Sequence, residues 1–227
     1  MEKDYAEELA TIALKIKAIK RSPNNPFTWA SGFRMPIYND NRMFLADHEH
    51  RRLIMGGFYD MIQKKGIHFF GFAGTSTAGI SPATTLADNF PCPLIYVRDK
   101  PKDHGLRNQI EGIDAEKGLE GRKYILIEDL VSTGGSSIKA VQAIRDAGGI
   151  CNNCLSIFDY GFEEARTAFR ELTPRCEFNP ILTYENLLRV AKKSSYITPE
   201  QSRMLEEWRT DPFNWGAKHG FPKVEKK

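Results

Sequence analysis

The stretch from Tyr124 to Ser137 constrains this chain more than any other. Tyr124-Ile125-Leu126-Ile127 is a continuous apolar run, as expected of a strand covered on both faces, and the strand reads on to Leu130. Two adjacent acids, Glu128 and Asp129, stand near its end. Leu130 and Val131 lead into Ser132-Thr133-Gly134-Gly135-Ser136-Ser137, and the pattern predicts a helix over 136–147, stopped by Gly148-Gly149. In an open parallel sheet, ligands bind beyond the carboxyl ends of the strands. Glycines there let the backbone approach a ligand, successive N–H groups at a helix start cradle an anion, and hydroxyls add donors. The two acids do not serve a phosphate, because like charges repel. They suit sugar hydroxyls, which donate, and a carbon that turns positive during reaction. A plainer reading is an acid pair ending a strand before a serine-capped helix. It accounts for Ser132 or Ser136 alone, and poorly for two carboxylates ahead of six small residues.

The rest of the chain supplies the sheet. His68–Ala73, Pro93–Val97 and Leu155–Phe158 read as short buried strands, with helices over Ala78–Asn89 and near Phe162–Leu172. This alternation predicts an α/β fold, a central parallel sheet flanked by helices. Upstream, Tyr5, Leu9, Ile12, Ile16 and Ile19 fall at steps of four and three, which describes one helix face. Ser22–Pro26 breaks that helix. Phe27–Arg42, rich in Gly, Pro and aromatics, predicts a hairpin or irregular hood, and Asp47 can cap a helix that stops at Lys64-Lys65-Gly66. Arg98–Gly112 is a long polar loop. A strand near Phe178–Leu182 and helical pieces to Trp215 complete the chain. The expected organisation is one domain over residues 1–227, with the hood over about 1–45 and a helical tail over about 184–227.

With 41% hydrophobic and 27% charged residues the composition is globular, and a net charge of +3 is too small to indicate nucleic-acid or membrane binding by itself. No apolar run approaches the roughly 20 residues of a membrane span. The charged start lacks a signal peptide's apolar centre, so the expected location is cytoplasmic. Cys151 and Cys154 form a C-x-x-C. They begin an apparent strand, where residues three apart point to opposite faces, and no second such pair exists, so structural cysteines are the stronger reading.

Glu128-Asp129 followed by Ser132-Thr133-Gly134-Gly135-Ser136 resembles the phosphoribosyl pyrophosphate signature of the type I phosphoribosyltransferases. The resemblance implies that Glu128 and Asp129 contact the ribose hydroxyls, and that the turn from Leu130 and Val131 through Ser136 cradles the 5-phosphate. Three further segments resemble the orotate branch of that family. Lys102-Asp103-His104-Gly105 looks like the catalytic loop that closes over pyrophosphate from the neighbouring subunit of a dimer, which carries roles over to Arg98, Lys102 and His104. From Arg98 to Gln109 the loop holds four Lys or Arg and two Asp, a local excess of +2. Asp99 stands where some relatives have a lysine. Phe27–Gly32 and Pro36–Arg42 resemble the hood over the orotate ring, where Arg42 offers a cation to the carboxylate and Tyr38 an aromatic face. A structural hairpin with Arg42 in an ion pair reads equally well there. Ala30 replaces a substrate-contacting lysine of other relatives, and Tyr160 and its neighbours offer no match for an arginine some of them carry. Phe72–Ile80 resembles the pyrophosphate-side loop, which brings in Thr75 and Thr77.

The reaction so implied displaces pyrophosphate from ribose C1 by a ring nitrogen of orotate, through an oxocarbenium-like transition state. Arg98, Lys102 and His104 would neutralise the leaving group, while Asp129 with Glu128 would favour positive charge on the ribose. Mg²⁺ is the implied cofactor, carried on substrate oxygens with few protein ligands, and no metal cage is visible in the sequence. A purine phosphoribosyltransferase would share Glu128–Ser136 without needing the loop or the Tyr38–Arg42 segment. A non-catalytic nucleotide-binding regulator would usually show a basic face.

Overall fold

The computed structural model describes residues 3–29, 31–100, 109–114 and 117–225. Helix α1 (Tyr5–Lys15) starts at Asp4, whose carboxylate accepts the Glu7 N–H at 2.9 Å. It buries Leu9, Ala10, Ala13 and Leu14. The face expected from Tyr5 to Ile19 is only partly realised. Lys17 takes a left-handed φ of 58° that ends the helix, and Ile19 is buried from strand β1 (Ile19–Arg21) instead. Strands β2 (Phe27–Thr28), β3 (Arg34–Met35) and β4 (Ile37–Asn39) follow, and the hood consists of two antiparallel pairs, β2–β3 and β1–β4. A 3-10 turn (Asn41–Ala46) leads to α2 (His48–Lys65). Asp47 caps α2 by accepting the Glu49 N–H at 2.8 Å, and Gly66 closes it in the left-handed conformation, as the sequence predicts.

The α/β unit comprises β5 (Gly71–Thr75), α3 (Ile80–Asn89), β6 (Leu94–Val97), β7 (Ile110–Glu111), β8 (Lys123–Val131), α4 (Gly135–Asp146), β9 (Ile150–Asp159), α5 (Glu163–Glu171) and β10 (Glu177–Thr183). Helices α6 (Tyr184–Lys193), α7 (Pro199–Thr210) and α8 (Pro212–Lys218) complete the described chain. The six-stranded sheet runs β10-β9-β8-β5-β6-β7, parallel except for the edge strand β7. Strand β8 shows why its apolar run is continuous. Ile125 and Ile127 join the core cluster under α1, α2 and α3, while Tyr124 and Leu126 join the cluster under α4 and α5.

Two strands differ from expectation. Strand β5 begins at Gly71 rather than His68, and Phe70 is left exposed with its N–H donating to the Lys123 carbonyl. Strand β9 begins at Ile150, five residues earlier than its apolar core suggests. Its register against β8 steps from Lys123↔Ile150 to Ile125↔Asn153, so β9 carries one extra residue there. That bulge corrects the expectation for Cys151 and Cys154: both are fully buried in one cluster with Cys176, on the same face. All four cysteines are free thiols. Among the described residues no helix is long and apolar enough to cross a membrane.

Candidate active site

Strand β8 ends centrally in the sheet, so its terminal acids emerge where the strands' carboxyl ends open onto a cavity. That cavity, about 610 Å³, is lined by Tyr38, Arg42, Thr75, Thr77, Glu128, Asp129, Leu130 and Ser136, with Asn39, Asp40, Leu45, Ser76, Ala78 and Ser81 completing its wall. Residues from the hood, the β5–α3 turn and the β8–α4 turn, far apart in sequence, thus meet here.

Glu128 is the most constrained of them, at 5% exposure. The Thr75 hydroxyl donates to Oε1 at 2.7 Å, the Ser137 hydroxyl to Oε2 at 3.1 Å, and the Asp129 N–H to Oε1 at 3.1 Å. These donors do not offset burial and the negative charge of Asp129, and the Glu128 carboxyl is pushed up to about 8. Burial also raises Asp129. Two carboxyls this close and this buried do not both ionise readily, so the pair holds a proton to higher pH than a free carboxyl does. Asn41, on the 3-10 turn, donates its amide to the Asp129 carbonyl at 2.6 Å and ties the hood's exit to the acid pair.

The turn beyond has the shape its residues predict. Gly134 adopts φ +81° as the residue before α4, and a Cβ there would stand 3.3 Å from Ala165 Cα. Ser132, Thr133 and Gly135 complete the turn, with Thr133 and Gly135 exposed. The first N–H groups of α4 are therefore open to an anion. Val131 points the other way, into the core. On the β5 side, Gly79 lies so close that a Cβ would meet Thr75 Oγ1 and the Ile127 carbonyl at 2.4 Å, which keeps that turn against the acid pair.

Arg42 reaches the cavity already engaged. Its Nε and a terminal nitrogen bind the two Asp40 carboxylate oxygens at 2.6 and 3.0 Å, a bidentate pair that holds Asp40 below its usual range. Arg98 does not line the cavity. It closes the base of the polar loop, with its N–H on the Gln109 carbonyl at 2.9 Å and its guanidinium 3.6 Å from Glu111. Lys102 and His104 lie outside the described residues. Asn41 and Ser76 fall within the segments that the sequence singles out but are assigned no role there, and Ser81 is passed over. A polar residue one turn from a motif carries no signal of which backbone group it will meet.

The phosphoribosyl transferase domain family matches residues 42–161, from Arg42 to Gly161, two residues past β9. An orotate phosphoribosyltransferase of Cytophaga hutchinsonii is 41% identical over 212 residues, covering 93% of this chain and 99% of that protein. The chain belongs to the orotate phosphoribosyltransferase family. A second member, from Streptococcus agalactiae, is 42% identical over 215 residues, with 93% and 99% coverage. The crystal structure of orotate phosphoribosyltransferase from Aeropyrum pernix superposes with a TM-score of 0.68 at 24% identity, covering 84% of this chain and 99% of that one, which shows the shared fold. The matched family segment contains the acid pair, the β8–α4 turn and Thr75–Thr77, while the hood from β1 to β4 precedes it.

Proposed function

We propose that this chain transfers the phosphoribosyl group of phosphoribosyl pyrophosphate to orotate, giving orotidine 5′-monophosphate and pyrophosphate. The observation that carries this is the convergence on one cavity of the acid pair, an open helix start and an aromatic-cation hood. The helix start after Gly134 takes the 5-phosphate on its N–H groups, with the hydroxyls of Ser132, Thr133 and Ser136 as further donors. Glu128 and Asp129 take the ribose hydroxyls, whose donor character favours loss of the proton the empty pair shares. The ionised pair then stands beside the carbon that becomes electron-poor as pyrophosphate leaves. Thr75 and Thr77 face the pyrophosphate side. Tyr38 offers a ring face to the base, and Arg42, with donors beyond those Asp40 uses, meets the base carboxylate.

The leaving pyrophosphate needs cations that the described cavity supplies sparingly. We assign that role to Arg98, Lys102 and His104 of the loop over residues 98–112. Mg²⁺ fits the same picture. The cavity offers hard carboxylate oxygens from Glu128 and Asp129. An ion carried in on pyrophosphate and ribose oxygens would meet Asp129 first, and when bound it neutralises charge on the leaving group. We read the chain as one functional unit, hood and tail included, working in the cytoplasm as a homodimer whose subunits exchange the loop.

The test is pyrophosphate release with phosphoribosyl pyrophosphate, Mg²⁺ and orotate, uracil, hypoxanthine or adenine in separate reactions. Orotate-dependent turnover that collapses in Asp129→Asn is expected. Turnover with a purine alone would remove the reading of the hood.

A further inference from the structure

The last described residues, 221–225, stay outside the core: Phe221 is half-buried and the others are exposed. They nonetheless return to the hood. The Val224 N–H donates to the Gly32 carbonyl at 2.9 Å. The Lys223 ammonium lies 4.4 Å from the centre of the Phe33 ring, and the Arg34 guanidinium 5.8 Å from the centre of the Phe221 ring. Two cation–π pairs therefore cross one junction in opposite senses, one cation from each side. At Gly32, whose φ is +84°, an added Cβ would stand 2.3 Å from the Val224 carbonyl oxygen, so the hairpin tip is shaped to receive this segment. Helix α8 supports the same hairpin, with Phe213 5.1 Å from Phe33.

The junction leads directly to the substrate cavity. The β2–β3 hairpin runs into β4, Phe27 packs 5.6 Å from Tyr38, and the Trp29 indole N–H donates to the Ile37 carbonyl at 3.0 Å. Tyr38, Asp40 and Arg42, which line the cavity, follow at once. The phosphate half of the site, from Glu128 to Ser136, stands on the sheet and makes none of these interactions.

We propose that residues 221–225 act as a strap that fixes the hood over the base half of the cavity, setting base affinity without touching the base. This rests on the assignment of that half to orotate. Each interaction in the junction lies at the surface, with at least one partner half-buried or exposed, and is worth only a few-fold in an equilibrium, and ordering five residues offsets part of it. The strap steadies the hood in the position described and does not lock it.

Three variants test this: a chain ended after Gly220, the full chain with Phe221→Ala and Lys223→Ala, and the full chain with Lys223→Arg. The shortened chain should raise KM for orotate about 5- to 10-fold, the combined worth of two cation–π pairs and a hydrogen bond after the ordering cost, and the double variant, which keeps the Val224 hydrogen bond, about 3- to 5-fold. Lys223→Arg, which keeps the cation, should stay near the parent. KM for phosphoribosyl pyrophosphate should remain within about twofold and the thermal midpoint nearly constant, since no buried side chain is removed. An unchanged KM for orotate in the shortened chain overturns the strap, as does an equal rise for both substrates. A parent chain without orotate turnover brings down the assignment of the base instead. Amide exchange over Phe27–Asn39, faster in the shortened chain if the strap holds the hood and unchanged if it does not, then decides the strap independently.

Discussion

Replacing Glu128 with glutamine tests the shared proton that organises the acid pair. Glutamine is isosteric with the protonated carboxyl. It can accept from Thr75 through its oxygen and donate to Asp129 through its amide, and the Ser137 hydroxyl can turn to suit. The folded protein holds the Glu128 proton up to about pH 8, whereas an unfolded chain releases it near 4.5. Between those values the folded state binds more protons than the unfolded one. The parent therefore loses stability as pH rises through that window, and what burial of the neutral acid contributes below pH 4.5 is gone above pH 8. One pH unit is worth about 1.4 kcal/mol, so the full shift sets a ceiling of about 5 kcal/mol. Asp129 absorbs part of the charge change, which brings the expected figure to about 2–3 kcal/mol. Urea unfolding followed by tryptophan fluorescence at pH 5, 7 and 9 measures it. The variant should gain on the parent steadily with pH. A stability difference constant from pH 5 to pH 9 would refute a buried, proton-sharing Glu128.

Further outcomes follow from individual residues. Mixing Lys102→Ala with Asp129→Asn, each inactive alone, should restore about a quarter of parent turnover if two-fold dimers exchange the loop, and none if each site is built from one chain. Gly134→Ala forces a side chain into the left-handed region beside Ala165. It should cost roughly 1–2 kcal/mol in unfolding and raise KM for phosphoribosyl pyrophosphate more than KM for orotate. Trp208→Ala should cost about 3–5 kcal/mol in urea unfolding, because that ring is fully buried against Trp29, Tyr160 and Phe162.

The phosphate turn was legible because its chemistry is local. A strand, two acids and a run of small residues specify their own geometry within 14 positions, and Gly134 needs its positive φ whatever surrounds it. Cap and stop signals at Asp47 and Gly66 were legible for the same reason. Cys151 and Cys154 were not, since their shared face depends on a bulge opposite Lys123–Ile125, a register shift between two strands that neither strand records alone. The C-terminal helices were equally opaque. Their spacing announces helices, but that Trp208 bonds Met35 Sδ at 3.2 Å and Phe213 meets Phe33 is a fact about the hood, some 175 residues upstream. Asn41 illustrates the limit inside the site: its donation to the Asp129 carbonyl joins two segments 88 residues apart.

The distribution of charge in this site follows a single logic. Inside the cavity the arginine is already answered, Arg42 by Asp40, and the acid pair holds a proton to higher pH than a free carboxyl does. A cavity with unanswered cations would hold pyrophosphate tightly after the reaction and slow its release. With the excess of +2 on residues 98–109 instead, the proposed function makes the strongest stabilisation of the leaving group depend on a segment outside that cavity wall. On the proposed function that stabilisation would be available in the transition state and withdrawn afterwards. Lys102→Ala should accordingly lower kcat far more than it raises KM for phosphoribosyl pyrophosphate, by roughly 100-fold if it removes one charge-assisted hydrogen bond to the leaving group. A purely KM effect in steady-state kinetics would mean that this cation binds the substrate in its ground state, and the division of labour between cavity and loop would fall with it.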